Sequence, residues 1–309
     1  MTEITIDWNA VSKKKWQSLL SQAERCSFQQ AWAYGAIFEH SNIEVNRFVA
    51  YEGRDVVAIG QIITRRFLGF FKLTLLLKGP VWLKNIKDDQ KQKVLNIIRQ
   101  KYPLKYFNLF AFSPEDTAQE TYKNMGFRQV TTGNSTITID LTQSEDRLWQ
   151  NLYGKNRTHI RKAKKSEFDV VYGDHAHPHT DWLLGQERKQ QKEKKYQGLP
   201  VEMVKGYGQF MLPDQGVYTA FAVKGGEAIA GALFLRHGST ATYHIGWNGP
   251  EGRKSRALNL LLWNMILKLK AAGVENLDLG GLNTEEGADI ARYKLSFGGE
   301  VLSMGGTFM

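Results

Sequence analysis

The chain has 309 residues, 42% of them hydrophobic and 23% charged, which fits a globular protein of two average-sized domains with a sizeable core. No apolar run approaches the roughly 18–20 residues of a membrane span, and one cysteine, Cys26, excludes an internal disulfide or a cysteine-built metal site. Lys and Arg number 41 against 31 Asp and Glu, and a net charge of +10 points to anionic partners such as phosphates, nucleic acid or an acidic membrane face.

The N-terminus, "MTEITIDWNAVSKKKW", places acids first and has no apolar h-region, so no secretory signal and a cytoplasmic location are expected. From Phe48, "FVAYEGRDVVAIGQIITRR" reads as a strand, a turn at Glu52-Gly53-Arg54 and a second apolar strand. "DDQKQKVLNIIRQKYP" has apolar residues at helical spacing, and "KYFNLFAF" reads as the strand that follows. "TYKNMGFRQV" (121–130) is a short helix carrying Tyr122 and Lys123, then a strand. "STITIDLT" alternates as a strand and precedes two basic blocks, "GKNRTHIRKAKK" (154–165) and "RKQQKEKK" (188–195). From Ala220, "AFAVKGGEAIAGALFLRH" is a second hairpin, turning at Lys224-Gly225-Gly226. "SRALNLLLWNMILKLKAAG" is a longer helix closed by Gly273, "ENLDLGG" a short buried strand, and "RYKLSFGGEV" (292–301) another short helix and strand.

The two hairpins and the two Tyr-Lys segments repeat at one common offset of about 170 positions, Tyr122 meeting Tyr293 and Lys123 meeting Lys294. The order hairpin, helix, strand, helix, strand is used twice. The chain is read as a tandem duplication of one α/β domain, with domains 1–145 and 146–309 joined after the strand "STITIDLT".

"AQETYKNMGF" resembles the late segment of the GCN5-related acetyltransferase (GNAT) fold, in which a helix ending in Tyr-x-x-x-Gly-Phe precedes a strand. Two such GNAT-like domains resemble the Fem family of peptidoglycan-bridge aminoacyltransferases. "FQQAWAYGAIF" is similar to that family's early Trp-containing helix, and "LLLKGPVW" to its Gly-Pro strand end. "LWQNLYGKNRTHIRKAKK" resembles its Lys-x-Arg-x-x-Ile-Arg helix, and "LDLGGLN…ARYKLSFGGE" its C-terminal ending. The resemblance implies a transferase that moves an amino acid from aminoacyl-tRNA to an amine, without ATP, acyl-CoA or another cofactor. It also implies an amine-bearing, phosphate-containing acceptor. With no apolar run of membrane length, no stable membrane insertion is expected. The second domain, which carries the candidate residues and the longer helix with a glycine-containing entry, is expected to be catalytic and the first to shape the acceptor side. The family's long helical hairpin has no counterpart here, nor has the lysine that some members carry on the early helix. The competing readings are an acyl-CoA-dependent N-acyltransferase and a non-catalytic module binding RNA or an envelope precursor.

GNAT enzymes hold the pyrophosphate of acetyl-CoA in a Gln/Arg-x-x-Gly-x-Gly/Ala loop, where backbone N–H groups at a helix start face the anion. "NGPEGRKSRALN" has Gly249 and Gly252 at the wrong spacing, and "LKNIKDDQKQK" lacks the loop, so acetyl-CoA is disfavoured. By resemblance, Lys294 is the catalytic residue, a fixed cation at the carbonyl whose tetrahedral oxyanion forms during ester aminolysis. Lys123 is its counterpart in the half expected not to be catalytic. The resemblance also assigns Lys155 and Arg157 to a phosphate of the acceptor or of the tRNA end; Arg157 and Arg161 lie one turn apart on a helix face, and the guanidinium fork suits phosphate. Tyr243, in the alternating strand "TATYHIGWN", either orients the acceptor through its hydroxyl or is a core tyrosine. Asp278, before Gly280-Gly281, either holds a substrate amine or caps the turn. The alternating His175, His177 and His179 are interrupted by Pro178, and no metal is expected there.

Overall fold

The computed structural model describes residues 3–83, 86–104, 107–116, 118–196, 198–213, 215–282 and 287–309. Asn283, part of the "LDLGGLN" resemblance, lies outside them. Two compact units result: Met1–Ser135 with His237–Ser239 and Ser303–Met309, and Thr136–Arg236 with Thr240–Leu302.

The first unit is built on β1 (Ile4–Trp8), β2 (Glu44–Glu52), β3 (Asp55–Phe67), β4 (Phe71–Leu77), β5 (Val81–Trp82), β6 (Asn108–Ser113) and β7 (Gln129–Thr131). The second contains β8 (Ser135–Asp140), β9 (Asp169–Gly173), β10 (Gly216–Lys224), β11 (Glu227–His237), β12 (Thr240–Asn248), β13 (Asn276–Gly281) and β14 (Glu300–Ser303). The last strand, β15 (Thr307–Phe308), belongs to the first unit. The first sheet runs β1-β2-β3-β4-β6-β15-β7, with β5 pairing β3 off that path, and the second, read from its other edge, β9-β10-β11-β12-β13-β8-β14. The two orders correspond strand for strand, so the duplication holds at the level of topology.

The correspondence extends to local geometry. Both hairpins close in two residues between the strands, with Gly53 at φ 62° in one and Gly225 and Gly226 at φ 58° and 85° in the other. Positive φ is the geometry that matches the twist of the flanking strands, and glycine adopts it without a steric penalty. Each hairpin also has a bulge at the equivalent place, between Ala50 and Tyr51 and between Ala222 and Val223. One position departs from chain order. In each sheet the place before the last strand, between β6 and β7 in the first and between β13 and β14 in the second, is filled by a strand from the other half of the sequence, β15 and β8 respectively. The division therefore falls at Ser135/Thr136, before the alternating strand rather than after it near residue 145, because that strand pairs with β13 from Asn276↔Asp140 to Gly281↔Thr136.

The long helix Ala257–Ala271 is apolar around most of its circumference and forms the centre of the second core with Leu261, Met265, Ile266 and Leu269. It ends as its sequence predicts. Gly273 (φ 79°) donates its N–H to Lys270 O at 2.9 Å, and the Val274 N–H reaches Leu269 O at 3.0 Å, the bonds of a glycine-terminated helix. Its start differs from expectation. A separate helix, Pro250–Ser255, precedes it, and Arg256 stands between them in the left-handed region at φ 62°. The basic helix is Gly154–Ala163, as expected, and the stretch before it forms a helix of its own; of the two, Glu145–Asn151 and Gly154–Ala163, only the second carries the basic residues 155–162. The first is capped by Ser144 and carries Glu145 and Asp146 in its opening turn, where acidic groups complement the helix dipole. "FQQAWAYGAIF" is a buried polar hub in the first unit. Gln30 donates to Leu77 O at 2.6 Å and accepts from Gln61 N at 2.8 Å, while Arg47 pairs with Glu39 at 2.7 Å over the Trp32 ring.

Candidate active site

In the first unit the parallel pair β4–β6 stays hydrogen-bonded along its whole length, from Lys72↔Asn108 to Leu77↔Ser113. In the second unit the equivalent pair β12–β13 is joined only over Thr240–Thr242 and Asn276–Asp278, although β12 runs on to Asn248. Beyond Thr242 and Asp278 the two strands part. The register of β13 against β8 also breaks between Asp278 and Gly281. A wedge thus opens at the carboxyl end of parallel strands, where α/β sheets take their ligands.

All five candidate site residues lie in the second unit, and three of them, Lys294, Asp278 and Tyr243, meet at the wedge. Lys294, on the helix Ala288–Leu295, donates from Nζ to Gly281 O at 2.9 Å. Gly280 is at φ 79°, a conformation that favours glycine, and a Cβ there would stand 3.3 Å from Lys294 Nζ and 3.7 Å from Tyr243 O, so the lysine tip lies close over this turn. Burial holds the Lys294 ammonium below the usual lysine range, and the Asp278 carboxylate opposes part of that shift. Asp278 itself accepts from the Thr136 hydroxyl and, at 2.7 Å, from Gly280 N–H, so it fixes the turn that aims Gly280 and Gly281. Tyr243 is the first residue past the last paired position of β12; its ring packs on Phe234 and burial raises its hydroxyl pKa. Its hydroxyl lies over Gly246, which leaves space for it only by lacking a side chain.

Tyr293 and Lys294 contrast with Tyr122 and Lys123. The Tyr122 hydroxyl donates to Asp116 at 2.6 Å and receives Trp82 Nε1 at 3.3 Å, and Lys123 pairs on the surface with Glu120 at 2.7 Å. Among the described residues the buried Tyr293 hydroxyl has no hydrogen-bond partner, and burial beside Tyr243 raises its pKa. The same two letters are a closed structural cluster in one unit and open donors in the other. The repeat made Tyr293 visible in the sequence, but nothing local marked its hydroxyl as unpartnered.

Lys155 and Arg157 separate. Arg157 turns its Nη1 onto Gln150 O at 2.8 Å and Leu152 O at 2.6 Å, tying down the break between the two short helices. Lys155 is exposed, and with Lys162 and Arg256 it surrounds His159, whose pKa is lowered first by burial and then by these three cations. Arg256 is therefore the companion of Lys155 on the cationic face. Its left-handed backbone, which sets it outside both helices, is not readable from composition. Asn156, also missed, is buried and ties the site's framework together, donating to Ser296 O at 3.1 Å and accepting from Asn259 Nδ2 at 2.9 Å. Arg161 lies over the Trp149 ring. His177 caps the helix Pro178–Lys194, its Nδ1 accepting from His179 N at 3.2 Å, and both rings pack on Phe221.

Residues 153–295 match the acetyltransferase (GNAT) domain family, a stretch that lies in the second unit apart from His237–Ser239. No curated protein sequence matches the chain. The crystal structure of FemX superposes with a TM-score of 0.84 at 11% identity, covering 98% of this chain and 96% of that one. The fold is the tandem GNAT fold of FemX. The FemX likeness spans both units, so the first unit, outside the family match, shares the fold as well. More distant likenesses are the C-terminal domain of a putative lysylphosphatidylglycerol synthetase from Agrobacterium fabrum, with a TM-score of 0.53, 11% identity and coverage of 96% and 91%, and a tandem GNAT protein from the clavulanic acid biosynthesis pathway, with 0.51, 10% and coverage of 99% and 98%.

Proposed function

We propose that this protein is an amide-forming aminoacyltransferase that takes its amino acid from aminoacyl-tRNA, with the reaction in the second unit and the first unit shaping the acceptor side. The observation that carries the reading is Lys294 at the mouth of the open β12–β13 wedge, against Lys123 on the surface beside a closed pair of strands. The acceptor amine attacks the ester carbonyl, the C–N bond forms and the C–O bond to the terminal ribose breaks. The proton lost by the amine ends on the departing hydroxyl. Lys294 faces the oxygen on which negative charge develops, where a preorganised donor lowers the barrier most. The ester itself is the activated group, so the reaction asks for no cofactor. Lys155, Lys162 and Arg256 are assigned to phosphates of the tRNA end or of an amine-bearing acceptor.

The acyl-CoA alternative asks for free backbone N–H groups in a glycine loop at the start of the central helix. Here that place is taken by the helix Pro250–Ser255 and the Arg256 break, with Gly252 packed against Asn248 and Ile229 O. The test is incubation with charged tRNA pools or with labelled acetyl-CoA, each with candidate amines. Transfer abolished by ribonuclease supports the proposal. Release of CoA independent of RNA overturns it, as does binding of charged tRNA without turnover.

A further inference from the structure

The β3–β4 hairpin of the first unit ends in an apolar tip with no role in the chemistry above. Phe67, Leu68 and Phe70 are 44%, 86% and 56% exposed, and Phe107, 53% exposed, lies against Phe70 with ring centroids 4.9 Å apart. Leu68 is the odd residue. It occupies the left-handed region at φ 51°, where glycine or asparagine is favoured and a branched aliphatic side chain is strained, and it buries almost nothing. Neither folding nor solubility accounts for a leucine there. The strands behind the tip are basic. Arg66 stands directly opposite Lys72 across the β3–β4 pair, an arrangement of like charges that weakens a sheet, and Arg65 is exposed beside them. Glu44 offsets part of this charge, reaching Arg66 at 3.5 Å in an exposed ion pair.

Aromatic and aliphatic side chains at a protruding turn, with cations one step behind, complement an anionic bilayer surface, where apolar groups enter the acyl boundary and Lys and Arg remain among the headgroup phosphates. We propose that this hairpin tip docks the protein reversibly on membranes rich in anionic phospholipid. No helix among the described residues is long and apolar enough to cross a membrane, so the contact is peripheral. It holds whether or not the catalytic reading does.

The experiment is co-sedimentation of the full chain with vesicles of phosphatidylcholine alone or containing about a third phosphatidylglycerol. Leu68→Asn with Phe70→Ser is compared with the wild type; asparagine suits the φ of residue 68, so the thermal midpoint should not fall. Binding to the anionic vesicles, at least tenfold weaker in the double variant, is expected. Replacing Arg65 and Lys72 by Gln should weaken it by roughly fivefold per charge. Absence of binding by the wild type, equal binding by the double variant, or equal binding to neutral vesicles overturns the proposal. So does self-association without lipid that the double variant loses, which would assign the tip to a second copy of the chain.

Discussion

Lys294 and Lys123 share a place in the repeat and differ in what surrounds them, which makes them a matched pair for mutation. Lys294→Ala should lower turnover about a hundred- to thousandfold, the loss of about 3–4 kcal/mol seen when an oxyanion donor is removed, with little change in thermal midpoint. Lys123→Ala, which removes one exposed ion pair, should change neither measurably. Because burial lowers the Lys294 pKa, its charged form is lost at a lower pH than for an exposed lysine. Turnover should therefore fall on the alkaline side below the usual lysine value of about 10.4, and a limb set at or above that value would remove Lys294 from the chemistry. Arg157 behaves differently from Lys155. Its bonds to Gln150 O and Leu152 O are charge-assisted and internal, so Arg157→Ala should destabilise the fold by roughly 1.5–3 kcal/mol in denaturant titrations. Lys155→Ala should leave stability intact and weaken RNA binding, with the deficit shrinking as salt rises.

At the level of elements, the wedge depends on what β12 lacks. A side chain at Gly246 would occupy the position of the Tyr243 hydroxyl, so Gly246→Ala forces that ring to move. If Tyr243 orients the acceptor, the substitution raises KM or lowers kcat beyond what its stability loss explains; a change in stability alone would make Tyr243 a core residue. The helix pair Glu145–Asn151 and Gly154–Ala163 is held to the C-terminal motif by Asn156 and by Tyr153 N, which reaches Ser296 O at 3.0 Å. The motif resemblance at 154–163 is thus in large part structural: it positions the helix of Lys294 rather than presenting every basic residue to a ligand.

For the whole molecule, the exchanged strands make the halves interdependent. Phe308 of β15 is fully buried against Phe112 and Tyr122 of the first core. Phe308→Ala should cost about 3–5 kcal/mol, and residues 1–135 expressed alone should fail to give a cooperative thermal transition. Acid should also act on the intact chain. His237 is fully buried and its pKa is lowered to about 3 by that burial. The unfolded chain takes up this proton from about pH 6.5 downward while the folded one does not. Stability is therefore undiminished above that pH and declines as pH falls toward 3. The thermal midpoint should drop between pH 7 and 5, and less steeply in His237→Gln.

The resemblance to the Fem ending made Lys294 a candidate, whereas the sequence by itself determined the duplication, both hairpins with their glycine turns and the glycine-stopped central helix. Each of these is written in local periodicity, in turn residues that need positive φ, or in a repeat that can be laid over itself. Tertiary structure decided that β12 and β13 part while β4 and β6 do not, that β8 and β15 change places, and that the Tyr293 hydroxyl, unlike that of Tyr122, has no partner among the described residues. It also drew Arg157 into the backbone and brought Arg256 and Lys155, about a hundred positions apart in the chain, to bear on the same side chain, His159. These outcomes turn on pairing and burial between segments far apart in sequence. The same Tyr-Lys pair reads identically in both halves until the strands around it are either joined or open.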